Sequence, residues 1–178
     1  MLFVDETILR LFPPLRARWW WKGQQARVRV SGRNGRLVLY GAINIRTGHR
    51  ILMRGGSMGQ AWFQAFLGML RRAYPGRTVW LVLDAARSHT APRTLARATG
   101  LGVNLLWLPK QWSELNAMDH VWKELDRDIA ANRQYRTVGE QADHAERYIL
   151  GLTPREALTK AGVLSGNFWL KDLCRDFC

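Results

Sequence analysis

Apolar and polar positions alternate with two different periods along this chain of 178 residues, and the switches between them outline its elements. Leu2-Phe3-Val4 is a short apolar run that ends on Asp5, which predicts a buried strand surfacing at its C-terminal end. Residues 10–25 contain Pro13-Pro14 and Trp19-Trp20-Trp21 and have no period, so they predict an irregular loop with aromatic anchors. Ala26-Arg27-Val28-Arg29-Val30 alternates as a half-exposed strand does, and the turn chemistry of Ser31 to Gly35 predicts that it closes a hairpin. Leu37 to Ile45 is a second β-rich run, which Thr47-Gly48 turns back into an antiparallel partner over His49 to Met53.

From Ser57, whose hydroxyl is available as a cap, Trp62, Phe63, Phe66, Leu67 and Leu70 recur at helical spacing until Tyr74-Pro75-Gly76. Thr78 to Leu83 is continuously apolar and ends on Asp84, as the first strand ends on Asp5. Thr90 with Pro92 opens a short helix to Thr99, and Val103 to Leu108 predicts another buried strand. The strongest helical period starts near Ser113 or Glu114, with Leu115, Met118, Trp122, Leu125 and Ile129 on one face. A further helix is expected over Val138 to Leu150, and a short helix and loop after Thr153. Strands alternating with helices in this order imply an α/β fold, a mixed sheet with helices on its faces. Polar residues at the carboxyl ends of such strands converge on one crevice.

Charge changes the picture most. Lys and Arg number 27 against 14 Asp and Glu, a net charge of +13, which points to a polyanionic partner. The excess is regional: residues 7–113 hold 18 cations and one acid, Asp84, while both ends are slightly acidic. A solvated surface mixes both signs, so this stretch suggests a face held against phosphates, with Arg27, Arg29, Arg33, Arg36 and Lys110 as candidate DNA contacts. An Arg-rich composition inherited from a GC-rich genome is the alternative. No uncharged run is long and apolar enough for a membrane span, and the N-terminus lacks the pattern of a secretory signal, so a cytoplasmic, nucleoid-associated location is expected. Cys174 and Cys178, at the very end, read as free thiols.

Three carboxylates carry the candidate chemistry. If the strands ending on Asp5 and Asp84 are parallel neighbours, the two acids sit side by side and repel unless a cation lies between them. Asp119 follows Met118 on the strongest helix and borders its buried stripe, from where it can lean toward the other two. Three carboxylates without Cys or clustered His form an oxygen-rich site for two Mg²⁺ or Mn²⁺ ions, suited to in-line attack on a phosphodiester. Each acid has a competing use. Asp119 can pair with Lys123 at i+4, Asp5 can serve a turn or cap, and Asp84 has the weakest alternative. Glu6 falls on the opposite face if the first strand continues, where it is solvated or paired. His89 alone reads as a cap or loop residue, and the Trp19 to Trp21 run as packing, with stacking on DNA as its rival use.

The same residues resemble the catalytic domain of mariner-superfamily transposases, in particular the bacterial insertion-sequence branch. Val4-Asp5-Glu6 resembles that family's first acidic motif, and Trp21-Lys22-Gly23 and Tyr40-Gly41-Ala42 the segments that follow it. Leu83-Asp84-Ala85-Ala86-Arg87-Ser88-His89 resembles the second, with Ala85 where the family usually has Asn. Leu108 to Asp119 resembles the third, Leu-Pro-Pro-Tyr-Ser-Pro-Glu-Leu-Asn-Pro-Ile-Glu, with several prolines replaced and Asp119 as the final acid. Trp122 matches the aromatic residue that follows, and 34 residues separate Asp84 from Asp119, a spacing typical of the superfamily.

The resemblance implies a ribonuclease H-like fold with a mixed five-stranded sheet flanked by helices. It also implies metal-dependent cleavage and strand transfer at insertion-sequence ends by Asp5, Asp84 and Asp119, with Glu6, His89 and Asn116 as possible supporting residues. Residues 1–152 are then the catalytic domain and 153–178 a C-terminal tail. Only four residues precede Asp5, so the helix-turn-helix module that family members carry there is expected from a separate or frameshifted reading frame. A homodimer is expected in synapsis. The rival classes are a DNA-binding transposase remnant without catalysis and a host nuclease of the same fold.

Overall fold

The computed structural model describes residues 1–172 except Arg18, Ala26 and Arg29, so candidate Arg29 and the two cysteines lie outside the described residues. Five strands form one mixed sheet in the order β3-β2-β1-β4-β5. They are β1 (Leu2–Arg10), β2 (Arg36–Asn44), β3 (Arg50–Gly55), β4 (Val79–Leu83) and β5 (Val103–Trp107). The first three are antiparallel neighbours, whereas β4 runs parallel to β1 and β5 parallel to β4. The helices are α1 (Gln60–Ala73), the single turn α2 (Arg87–Thr90), α3 (Pro92–Gly100), α4 (Ala117–Leu125), α5 (Val138–Gly151) and α6 (Pro154–Lys160). None among the described residues is long and apolar enough to cross a membrane.

Strand alternation divides the core in two. On one face Val4, Tyr40, Leu81 and Leu83 meet Phe63, Phe66, Leu67 and Leu70 of α1, one helical stripe in which each buried side chain contributes about 1.5–3 kcal/mol. On the other face Phe3, Leu39, Ile43 and Val82 meet Met118, Val121 and Trp122 of α4 and Ala142, Ala145 and Ile149 of α5. Ala157 of α6, Val163 and Phe168 join the same cluster. Arg50 fastens β3 to the end of α5: its guanidinium donates to the carbonyls of Ile149, Leu150 and Leu152, which have no partner within the helix.

Several expectations need correction. β1 does not end at Asp5 but pairs with β2 through all nine of its residues, so the polar Asp5-Glu6 pair lies in mid-strand. Of the hairpin expected over 26–30, the described residues Arg27, Val28 and Val30 belong to no strand, and the sheet formed by the described residues has no place beside them. Gly59, not Ser57, caps α1, and it does so without a side-chain bond. β5 is an edge strand with Val103 buried but Leu106 and Trp107 exposed, rather than a buried one. The helix expected from Ser113 begins at Ala117, after a tight turn over Ser113–Leu115.

The basic stretch is also less open than its composition suggests. Arg54 makes a two-pronged bond to Glu146 of α5 at 2.8 and 2.6 Å and reaches Asp143 at 2.6 Å. Arg16 lies 3.8 Å from Asp126. Acids of the C-terminal third therefore take up cations of the acid-free segment.

Candidate active site

Alternation along β1 decides which acids can meet. Asp5 shares its face with Phe3 and Leu9, which pack under α4, whereas Glu6 points to the α1 side. Asp84 follows the last residue of β4, the parallel neighbour of β1. Asp119 lies in the first turn of α4. All three line one cavity of about 370 Å³, together with Lys110, Trp112 and Asn116. Of the candidate DNA contacts only Lys110 is on its wall, while Arg27, Arg33 and Arg36 are exposed along the β1–β2 connection and the start of β2.

Burial, with the nearby charges of Glu6, Asp119 and Asp84, pushes the Asp5 carboxyl up to about 8, against the hydrogen bond it accepts from the Glu6 backbone. Asp84 is held differently, because its side chain is 61% exposed and Oδ1 lies 2.8 Å from His89 Nδ1. The other ring nitrogen of the buried His89 lies 2.7 Å from Glu6 Oε1. Burial alone would lower the His89 pKa, but the hydrogen bonds to Asp84 and Glu6 overcome it and push it up to about 10. The imidazolium in turn holds Asp84 below its ordinary value. Glu6 is thus linked to Asp84 through the ring of His89.

Asn116 ties α4 to β1. Its Oδ1 accepts from the Met118 backbone, capping the helix, and its Nδ2 donates to the Val4 carbonyl at 2.9 Å, next to Asp5. Asn116→Ala should cost about 1–3 kcal/mol, read as a lower denaturant midpoint, because it removes the cap and leaves a buried carbonyl unpaired. Asn116→Ser keeps a capping oxygen and removes the amide donor without adding charge, so a midpoint equal to that of the unaltered chain in that variant would show that the Val4 bond contributes nothing.

The donors are all oxygens, which suits Mg²⁺ or Mn²⁺ rather than zinc. The crowded, buried Asp5 fits such a cation, and Asp119 brings a second carboxylate to the same cavity, with its Oδ2 buried and making no hydrogen bond. Lys123 Nζ lies 2.8 Å from that oxygen, an ion pair lying off the direction of a hydrogen bond. Among the described residues no three His, Cys, Asp or Glu side chains are gathered into metal-binding geometry. Asp84 leans to His89 and Asp119 to Lys123, so both must turn to share an ion.

Sequence reasoning passed over Gln111 and Trp112, which line the cavity from the loop after β5. Gln111 adopts φ 65, a left-handed conformation that no residue type announces reliably.

Among curated proteins, the chain is 24% identical over 156 residues to the Insertion element IS630 uncharacterized 39 kDa protein of Shigella sonnei, covering 86% of this chain and 46% of that protein. It therefore spans less than half the length of that relative. Among solved structures it superposes on the pre-cleavage Mos1 transpososome with a TM-score of 0.74 at 16% identity, covering 98% of this chain and 55% of that one. For the catalytic domain of Mos1 mariner transposase the TM-score is 0.66 at 15% identity, covering 92% and 76%. The mixed five-stranded sheet flanked by helices is the ribonuclease H-like fold of those enzymes. Residues 1–141 match the family model described as DDE superfamily endonuclease, and the chain belongs to that family.

Proposed function

We propose that this chain is the catalytic domain of an insertion-sequence transposase that cuts DNA at the element's ends and joins the freed 3′-hydroxyls to target DNA. The observation that carries the reading is the meeting of Asp5, Asp84 and Asp119, from three separate elements, on one cavity. Two divalent cations, when bound, supply the Lewis acidity that activates the attacking oxygen and stabilises the leaving one. Asp5, Asp119 and the more exposed Asp84 would hold them. His89 and Glu6 keep Asp84 ionised, Asn116 keeps α4 against β1, and Lys110 neutralises a phosphate at the rim.

Solved complexes of Mos1 transposase with a transposon end, with Mg and with Mn support this reading by analogy. In it, residues 1–152 form the catalytic unit and 153–178 a tail. End recognition comes from a helix-turn-helix segment encoded separately or by frameshift, two copies assemble in synapsis, and the protein acts on nucleoid DNA in the cytoplasm. One observation favours a second reading, a DNA-binding remnant without catalysis: the Asp119–Lys123 ion pair occupies a proposed ligand.

Supercoiled plasmid and Mn²⁺ distinguish them. The purified chain should nick the plasmid and join 3′-ends to a second duplex, and Asp84→Asn should lose about 10³-fold in rate. Equal activity in Asp84→Asn overturns the site. Salt-sensitive DNA binding without Mn²⁺ uptake establishes the remnant, and nicking without joining indicates a host nuclease.

A further inference from the structure

Three buried side-chain atoms among the described residues make no hydrogen bond: Asp119 Oδ2, Trp122 Nε1 and Gln141 Oε1. All three residues line a second cavity, of about 450 Å³, which lies behind the third carboxylate and meets the first cavity only at Asp119. Gln141 is 2% exposed and Trp122 6%. Asp119 and Trp122 stand three residues apart on α4, and Gln141 comes from the first turn of α5, which packs against α4.

The chemistry of the trio is complementary to one molecule. An indole N–H can only donate, whereas a carboxylate oxygen and an amide oxygen can only accept. A single water accepts from the first and donates to the other two, which is the count of about three bonds that a buried water ordinarily makes. The two acceptors cannot satisfy each other. Leaving the Trp122 and Gln141 atoms unpaired costs about 1–3 kcal/mol per group, and Asp119 Oδ2 has the ion pair to Lys123 but no hydrogen bond.

We propose that Trp122 and Gln141 are positioning residues for Asp119, acting through a buried water that bridges Trp122 Nε1, Gln141 Oε1 and Asp119 Oδ2. The inference rests on the reading of Asp119 as a cation ligand. The bridge fixes Oδ2, which leaves Oδ1 for the cation. Lys123, which lines the same cavity, contacts that oxygen with a side chain 58% exposed and can swing away, whereas Trp122 and Gln141 are buried.

The test uses the full chain and two near-isosteric changes, Trp122→Phe and Gln141→Leu, each of which deletes one polar atom. Mn²⁺ binding, read by electron paramagnetic resonance, should weaken about 10-fold in each variant. The double variant should be no weaker than either single one, because the same water is lost. Lys123→Met should change Mn²⁺ affinity less than either. Unchanged affinity with a lower melting temperature would show that the two residues serve only packing, and additive losses would show that they act separately. Either result overturns the proposal.

Two resonances read the bridge without the cation. The Trp122 indole proton should show a cross-peak to a long-lived water, lost in Gln141→Leu, and the Asp119 carboxyl carbon should shift in the same variant. Absence of the cross-peak from the unaltered chain, or a fixed Asp119 carbon, overturns the bridge. If both signals behave as expected and the chain takes up no Mn²⁺, the cation reading fails and the bridge stands.

Discussion

Asp5→Asn is expected to act in opposite directions on two measurements: nicking with Mn²⁺ falls about 10³-fold, and the melting temperature of the cation-free protein rises. The loss follows from the proposed function, in which Asp5 is a charged ligand: a bound cation would supply several kcal/mol of transition-state stabilisation, and each 1.36 kcal/mol is about tenfold in rate. The gain follows from position. Asp5 lies in the middle of β1, where burial and the charges of Glu6, Asp119 and Asp84 oppose its ionisation. An amide has nearly the same shape, keeps the acceptor for the Glu6 backbone N–H and carries no charge. Relief of a site arranged for function is worth about 0.5–2 kcal/mol, and a domain of this size gains about 2–4 °C per kcal/mol.

Mn²⁺ should then separate the two proteins. It raises the melting temperature of the unaltered chain by preferential binding to the folded state, and it leaves that of Asp5→Asn nearly unchanged. A variant that melts lower than its parent without cation would mean that Asp5 is a structural carboxylate satisfied where it stands. A variant that nicks normally would remove Asp5 from the chemistry.

The contrast between Asp5 and Glu6 shows what the sequence can and cannot disclose. That two adjacent acids on a strand face opposite sides follows from the period of two, so their separation was legible once the strand was known to continue. What Glu6 does on its side was not. Its partner His89 lies 83 positions away and is brought over the sheet by α2, a single turn with no periodic signal of its own. The parallel pairing of β1 and β4, which sets Asp5 beside Asp84, could be anticipated from two apolar runs that each end on an acid.

Local pattern failed at Arg27, Val28 and Val30, which among the described residues belong to no strand. Ala26 to Val30 alternates as well as β3 does, yet β3 has Val38 to Ile43 of β2 alongside to complete its hydrogen bonds. The orientation of Asp119 is beyond local pattern for another reason. Lys123 at i+4 and a cation in the cavity are both compatible with the same spacing, and only the side chains around Oδ2 choose between them. Gln141 gives no signal at all, because a glutamine in the first turn of an amphipathic helix is ordinarily solvated.

Gly41→Val is expected to be the most destabilising single exchange in the sheet, and Gly41→Ala to cost about 1–3 kcal/mol, in the range of overpacked cores. Gly41 stands opposite Asp5 in the β1–β2 register. A Cβ there would lie 2.5 Å from Met118 Cε and 2.5 Å from Trp122 Cζ2. The methionine can rotate away, but the indole is held between β2 and the body of the fold at 6% exposure, so α4 itself must shift. Because Asp119 lies between those two residues on the same helix, the shift carries the third carboxylate away from Asp5. Stability and Mn²⁺ affinity should therefore fall together in Gly41→Ala, and further in Gly41→Val. Gly100→Ala is the control: it is the same exchange near the end of α3, where a Cβ meets nothing within 4 Å, and it should gain about 0.4–1 kcal/mol through the unfolded chain. Chemical denaturation of the three variants decides the matter, and a Gly41→Ala midpoint equal to that of the unaltered chain would mean that α4 can slide over β2 without penalty, which its packing against Gly41 forbids.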